Sequence, residues 1–229
     1  MIPLPGWVFL LPMKALLLAL LCAAPALARA ASILDDLDPA QRAELERGGQ
    51  VVRMEEVAGK PWPRVRLYEK VAATPEEVAA VFFDYRNAKA YVPKVVKSDI
   101  SLRVSPCVIE VDYGIDVPLL PDEFYTARNS LTADPDGSYC VSWRLVRALQ
   151  TEDSEGNLRI ETLGEGSAIR YTNLVTPGSS MAGLLRIPAI DQMKDTVRAI
   201  ARHVEEVKRT QPAELKQKVG FLREAIKGE

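Results

Sequence analysis

Histidine is almost absent from this chain, and cysteine is scarce. One histidine, His203, and three cysteines stand among 229 residues. Zinc needs three or four converging thiolate or imidazole ligands, so no zinc site is expected. Neither Cys107 nor Cys140 has a plausible histidine partner for a nucleophile–base pair. Asp35-Asp36 and Glu55-Glu56 lack calcium-loop spacing, and Gly164-Glu165-Gly166 opens no helix that could cradle a phosphate. Basic runs are missing as well. The 29 Lys and Arg face 31 Asp and Glu, for a formal net charge of −2, which argues against nucleic acid as a partner. No repeat or low-complexity tract occurs. The 48% hydrophobic and 26% charged fractions are those of an ordinary globular protein. This inventory is poor for catalysis, and neither a metal nor a cofactor is expected.

Only one long apolar run is present, and it lies at the start. Lys14 precedes it, Pro25 ends it, and Ala28-Arg29-Ala30 offers the small residues that a signal peptidase reads. Residues 1–30 therefore read as a signal peptide cleaved near Ala30, with Met13 as an alternative start. The run is too short to persist as a membrane span. The expected product is a soluble monomer, periplasmic or secreted. Such a compartment permits disulfides. Strand parity nevertheless puts Cys107 with Ile109 and Val111, and Cys140 with Ser142 and Arg144 on the opposite face. With a strand between them, two free thiols are expected.

Asp38-Pro39 opens a short helix that Gly48-Gly49 ends. Strands are expected over 51–57 and 64–71, and Thr74-Pro75-Glu76-Glu77 starts a helix carrying Val78, Val81, Phe82 and Tyr85. Six more strands follow, over 95–104, 107–117, 123–132, 139–147, 158–164 and 169–176. Turn residues between them, including Asp134-Pro135-Asp136-Gly137 and Glu155-Gly156-Asn157, make these an antiparallel meander. A loop from Ser179 to Pro188 leads into a long helix with Ile190, Met193, Val197, Ile200, Val204 and Val207 on one stripe. Beyond Pro212, Leu215, Val219, Leu222 and Ile226 mark a second amphipathic helix within residues 211–229. The fold class is α+β: a curved antiparallel sheet wraps its apolar face around the long C-terminal helix.

The order of parts is familiar at this point. Val71-Ala72-Ala73-Thr74-Pro75-Glu76-Glu77-Val78, then Phe83-Asp84-Tyr85 and Tyr91-Val92-Pro93, resemble the opening motif of START-like, helix-grip proteins. Ser142-Trp143-Arg144-Leu145, the strand pair from Gly156 to Tyr171 and the helix after Pro188 follow the same layout. The resemblance spans about residues 40–208 and supports a ligand-binding domain over 31–210. Its motifs are packing and turn residues, specific for fold and weak for function. It implies a hydrophobic-ligand cavity between sheet and helix, as in lipid-transfer domains, coenzyme-Q-binding proteins and polyketide aromatase/cyclase-like proteins. The tail after Pro212 departs from the usual pattern.

Inward parity selects Tyr113, Tyr125, Asn129, Trp143, Tyr171 and Asn173. Aromatics with a polar tip can pack an apolar ligand and fix its polar group, or fill a solid core. The helix adds Met193 and Val197. The preceding segment adds Met181, Leu184 and Leu185, read as a gate touching a membrane or the ligand's tail. His203 reads as an exposed helix residue, and Asp112, Asp116, Arg128 and Arg144 as a salt-bridged sheet exterior. The expectation is an exported, non-enzymatic carrier for a lipid-like or isoprenoid molecule. The alternatives are a cyclase with Tyr113 or Tyr125 as proton donor, and an interaction module without a ligand.

Overall fold

The computed structural model describes residues 32–117, 121–178 and 182–229. Its helices begin where short polar residues can accept from free backbone N–H groups. Ser32 caps a 3-10 helix at Ile33–Asp36, Asp38 caps α1 (Pro39–Glu46) and Thr74 caps α2 (Pro75–Phe82), each with a reciprocal capping box. Between α1 and α2 lie β1 (Val51–Glu55) and β2 (Arg64–Val71). After a second 3-10 helix (Tyr85–Asn87) and the single turn α3 (Ala88–Tyr91) come β3 (Val95–Arg103), β4 (Val108–Ile115) and β5 (Glu123–Ala133). The chain continues through β6 (Tyr139–Ala148), β7 (Thr151–Leu163) and β8 (Gly166–Pro177). It ends in the 29-residue α4 (Ala182–Thr210) and in α5 (Pro212–Lys227). Among the described residues no helix is long and apolar enough to cross a membrane.

All eight strands form one antiparallel sheet in the order β1-β2-β8-β7-β6-β5-β4-β3. The expected meander is therefore present, and β2 closes onto its last strand. The inner face carries Leu67, Val111, Val141, Leu158 and Ile169, which pack with Val78 of α2 and with Val197, Ile200 and Val204 of α4. Leu215 and Leu222 of α5 join the same core. A smaller core lies on the outer face, where Ile33, Leu37 and Leu45 cover Tyr68 and Ala168. Cys107 is buried and Cys140 half-buried, both as free thiols, with Cys107 in the inner core.

Three local expectations are corrected. Gly156 is no turn residue but the middle of β7, which starts at Thr151 rather than near Leu158. The α2 helix stops at Phe82, so Tyr85 comes from a tighter 3-10 turn. His203 is half-buried, because its ring stacks on Tyr91 with centroids 4.0 Å apart and planes 10° apart.

Two predictions follow from these contacts. Thr74→Ala removes the α2 cap and should cost about 1 kcal/mol, read as a lower urea midpoint. Burial pushes the His203 pKa below its ordinary 6.5, against the opposing pull of Glu206. The native state then binds fewer protons than the unfolded chain just below that value. The contribution is present above pH 6.5 and is lost as the pH falls through the window beneath it. His203→Gln should flatten the stability profile in the window just below pH 6.5.

Candidate functional site

Register brings Tyr113 of β4 directly opposite Tyr125 of β5, and their rings stack with centroids 5.1 Å apart. Tyr85 meets Tyr113 edge-on at 6.4 Å. Phe82 then bridges Tyr85 at 6.1 Å to Trp143 of β6 at 6.4 Å, and Trp143 lies 5.0 Å from Tyr171 of β8. The six rings form one aromatic arc across the inner face, with α2 and its following turn supplying the middle. Burial pushes the pKa of Tyr113, Tyr125, Tyr171 and Tyr85 upward, so all four phenols are neutral donors at ordinary pH. The Tyr85 hydroxyl is buried without a hydrogen-bond partner. Tyr113, Tyr125, Trp143 and Tyr171 nevertheless keep some accessible surface, and Tyr113, Trp143 and Tyr171 pack against the edge of the core.

Polar groups sit at fixed points along this arc. Trp143 Nε1 donates to Asn173 Oδ1 at 3.4 Å. Asn129 is buried, and its Nδ2 donates to the Ala127 carbonyl at 3.1 Å. A crevice of about 210 Å³ reaches Tyr113 and Tyr125 between Phe124, Ala148 and Leu149, with Lys97, Asp112 and Arg147 around it. Asp112 is held below the usual carboxylate range, first by the hydrogen bond from Thr126. Among the described residues no cluster of metal-binding side chains occurs.

This arrangement of sheet and helices recurs in solved structures. The STAR-related lipid transfer protein from Xanthomonas axonopodis matches with a TM-score of 0.63 at 17% identity, over 68% of this chain and 93% of that one. Human StAR-related lipid transfer protein 5 matches at 0.57 and 13% identity, over 70% and 84% of the two chains. The Zhui aromatase/cyclase from a Streptomyces species matches at 0.55 and 20% identity, over 64% and 96%. This chain has the START-like helix-grip fold. No family model matches the sequence, and no curated protein matches it.

Within this helix-grip frame the α4 residues divide. Val197 is fully buried in the core and presents no surface to a ligand, whereas Met193 is half-buried against that core. Met181 lies outside the described residues. Leu184 and Leu185 belong to the first turns of α4 and not to a loop, because the helix already runs from Ala182 with Pro188 inside it. Ala182, Leu184, Leu185 and Arg186 are strong helix formers. The missing Pro188 N–H leaves only the Leu184 carbonyl without its helical donor. Leu184 is 74% exposed and lies outside the crevice at Tyr113 and Tyr125. Sequence parity missed Phe82 and Tyr85 as site residues, although the cluster Phe82-Phe83-Asp84-Tyr85 is the densest aromatic segment in the described chain.

Gly156 explains how the arc fits. It pairs with Trp143 on one side and Asn173 on the other. A Cβ there would stand 2.3 Å from the Thr172 carbonyl oxygen and 2.5 Å from the Trp143 ring. The indole lies where any other residue would place its side chain. Gly156→Ala should therefore destabilise by about 1–3 kcal/mol through overpacking. Denaturant titration followed by tryptophan emission would report both the loss and the displaced ring.

Proposed function

We propose that this protein binds a hydrophobic molecule bearing one polar group, a lipid-like or isoprenoid compound, between the inner sheet face and α4. The aromatic arc from Tyr125 to Tyr171 carries the reading. It offers apolar area together with neutral phenol donors, and a crevice reaches it at Tyr113 and Tyr125. The likeness to lipid-transfer proteins supports the same reading. The sparse catalytic inventory favours a carrier over an enzyme. The segment Ala15–Leu21 with Ala28-Arg29-Ala30 supports export, with the carrier working in the periplasm or outside the cell as a monomer. Exposed Leu184 and Ile187 on α4, at 74% and 71%, and Leu149 on the β6–β7 turn offer apolar surface for transient membrane contact. Leu149 and α4 share one end of the sheet, since Gly178 donates to the Gln150 carbonyl.

The cyclase-type alternative is favoured by one observation, the unpartnered Tyr85 hydroxyl beside Tyr113. Mass spectrometry of an organic extract of the native protein should recover a bound apolar compound. An empty extract, with no saturable uptake of a fluorescent fatty acid, overturns the carrier reading. Tyr113→Phe and Tyr171→Phe each remove one hydrogen bond and should weaken uptake about threefold to tenfold. A cyclase would instead lose turnover with Tyr113→Phe while retaining binding.

A further inference from the structure

The opposite face of the sheet holds a groove of about 680 Å³, a volume in the range of small-molecule sites. Its floor is a row set by register: Arg66 on β2, Thr172 on β8, Asn157 on β7, Ser142 on β6 and Ser130 on β5. Four strand spacings make that row roughly 19 Å long. In the next row Arg144 and Arg128 stand directly opposite each other, with Glu155 paired beside Arg144. Arg64 and Arg170 line the far end. The wall there comes from the outer core, where Asp36 accepts from Tyr68 at 3.2 Å and from Arg170 at 2.5 Å. Burial, first of all, pushes the Tyr68 phenol up to about 12, so it remains a donor to that carboxylate.

Carboxylates hold most of these guanidiniums in place without saturating them. Arg66 meets Glu55 at 2.8 Å and Arg64 meets Glu155 at 3.8 Å. Glu110 takes Nε and Nη2 of Arg128 through a single oxygen, at 3.0 and 2.6 Å. Arg144 has no ion pair or hydrogen bond among the described residues, which corrects the expectation of a fully salt-bridged exterior. Like charges directly opposite in a sheet are destabilising; Glu110 offsets Arg128, but among the described residues no ion pair or hydrogen bond engages Arg144 across from it. Two more groups are left open. Arg170 Nε, a donor, and Asn157 Oδ1, an acceptor, are both buried without partners, on diagonal positions of β8 and β7 in the same groove.

We propose that the groove is a second binding site, for a polyhydroxylated organic anion of the sugar-phosphate or sugar-acid class. The anionic group sits between Arg144 and Arg128 and relieves their repulsion. Its hydroxyls lie on the Ser, Thr and Asn floor, where one hydroxyl can accept from Arg170 Nε and donate to Asn157 Oδ1. Glu155, in the row beside Arg144, accepts from hydroxyls and repels a second phosphate, which disfavours polyphosphates. The proposal does not rest on the ligand of the inner face, although Trp143 of the aromatic arc borders this groove beside Gly156.

Calorimetric titration of the full-length mature protein at constant ionic strength tests this, with glucose-6-phosphate, glucuronate, glucose, inorganic phosphate and phosphatidylglycerol vesicles as probes. Saturable binding of glucose-6-phosphate or glucuronate, tighter than of glucose or inorganic phosphate, is expected. Arg144→Gln, at an exposed position without partners, should weaken it about tenfold or more with the thermal midpoint held or raised. Equal affinity in Arg144→Gln overturns the proposal. So does the absence of saturable binding up to roughly 1 mM. Binding confined to vesicles overturns it too, and identifies an anionic lipid surface as the occupant.

Discussion

Side chains alternate across one continuous sheet, interrupted only at a few register shifts, and on that alternation everything else in the molecule depends. Trp143 and Tyr171 point inward while their chain neighbours Arg144 and Arg170 point outward. A slip of one residue in any ladder would exchange the two sets. It would place guanidiniums against Val111 and Val141, where an unpaired charge is prohibitive. The hydrophobic inner face therefore enforces a register that also builds the outer groove. One irregularity falls between Thr126 and Ala127. It shifts the pairing beside Tyr125 and leaves Val146 unpaired opposite, at the mouth where the inner rings meet solvent.

The two faces solve the problem of buried polarity differently. Along the aromatic arc the polar groups are neutral: phenols held protonated by desolvation, an indole N–H and two amides, with Trp143 and Asn173 paired and Asn129 donating to a backbone carbonyl. Outside, the charges remain and are steered by carboxylates on adjacent strands and by Asp36 of the first 3-10 helix. Neutral donors among apolar surface suit an amphiphile, whereas fixed guanidiniums beside hydroxyls suit a solute that water also likes.

Much of this was legible in the residues. Period-two alternation placed Tyr113, Tyr125, Trp143, Tyr171 and Asn173 on one face, because half-buried antiparallel strands must alternate. Helical spacing identified the α4 stripe for the same kind of reason. Misreadings arose where one residue serves two physical purposes. Gly156 looked like a turn because glycine punctuates chains, but here it makes room for an indole. Pro188 looked like a helix start because its ring disfavours interior positions, yet the preceding residues form helix well enough to carry it. His203 looked exposed because only its own helix neighbours were visible, and Tyr91 covers it from α3. The arginine groove was illegible, since Arg66 and Arg144 become neighbours in one cavity only through the pairing of β2 with β8.

That pairing also shapes the route by which the chain reaches its fold. β3 to β8 join through successive hairpins, whose ends need travel only a short way to meet. β2 and β8 set Val65 beside Asn173, so the loop they close includes most of the domain. Its closure entropy must be met before any contact across the seam can reward it. α4 packs mainly against β2, and Arg64 and Arg66 stand on the same strand. The helical cover of one compartment and the cationic end of the other thus become possible in a single kinetic event.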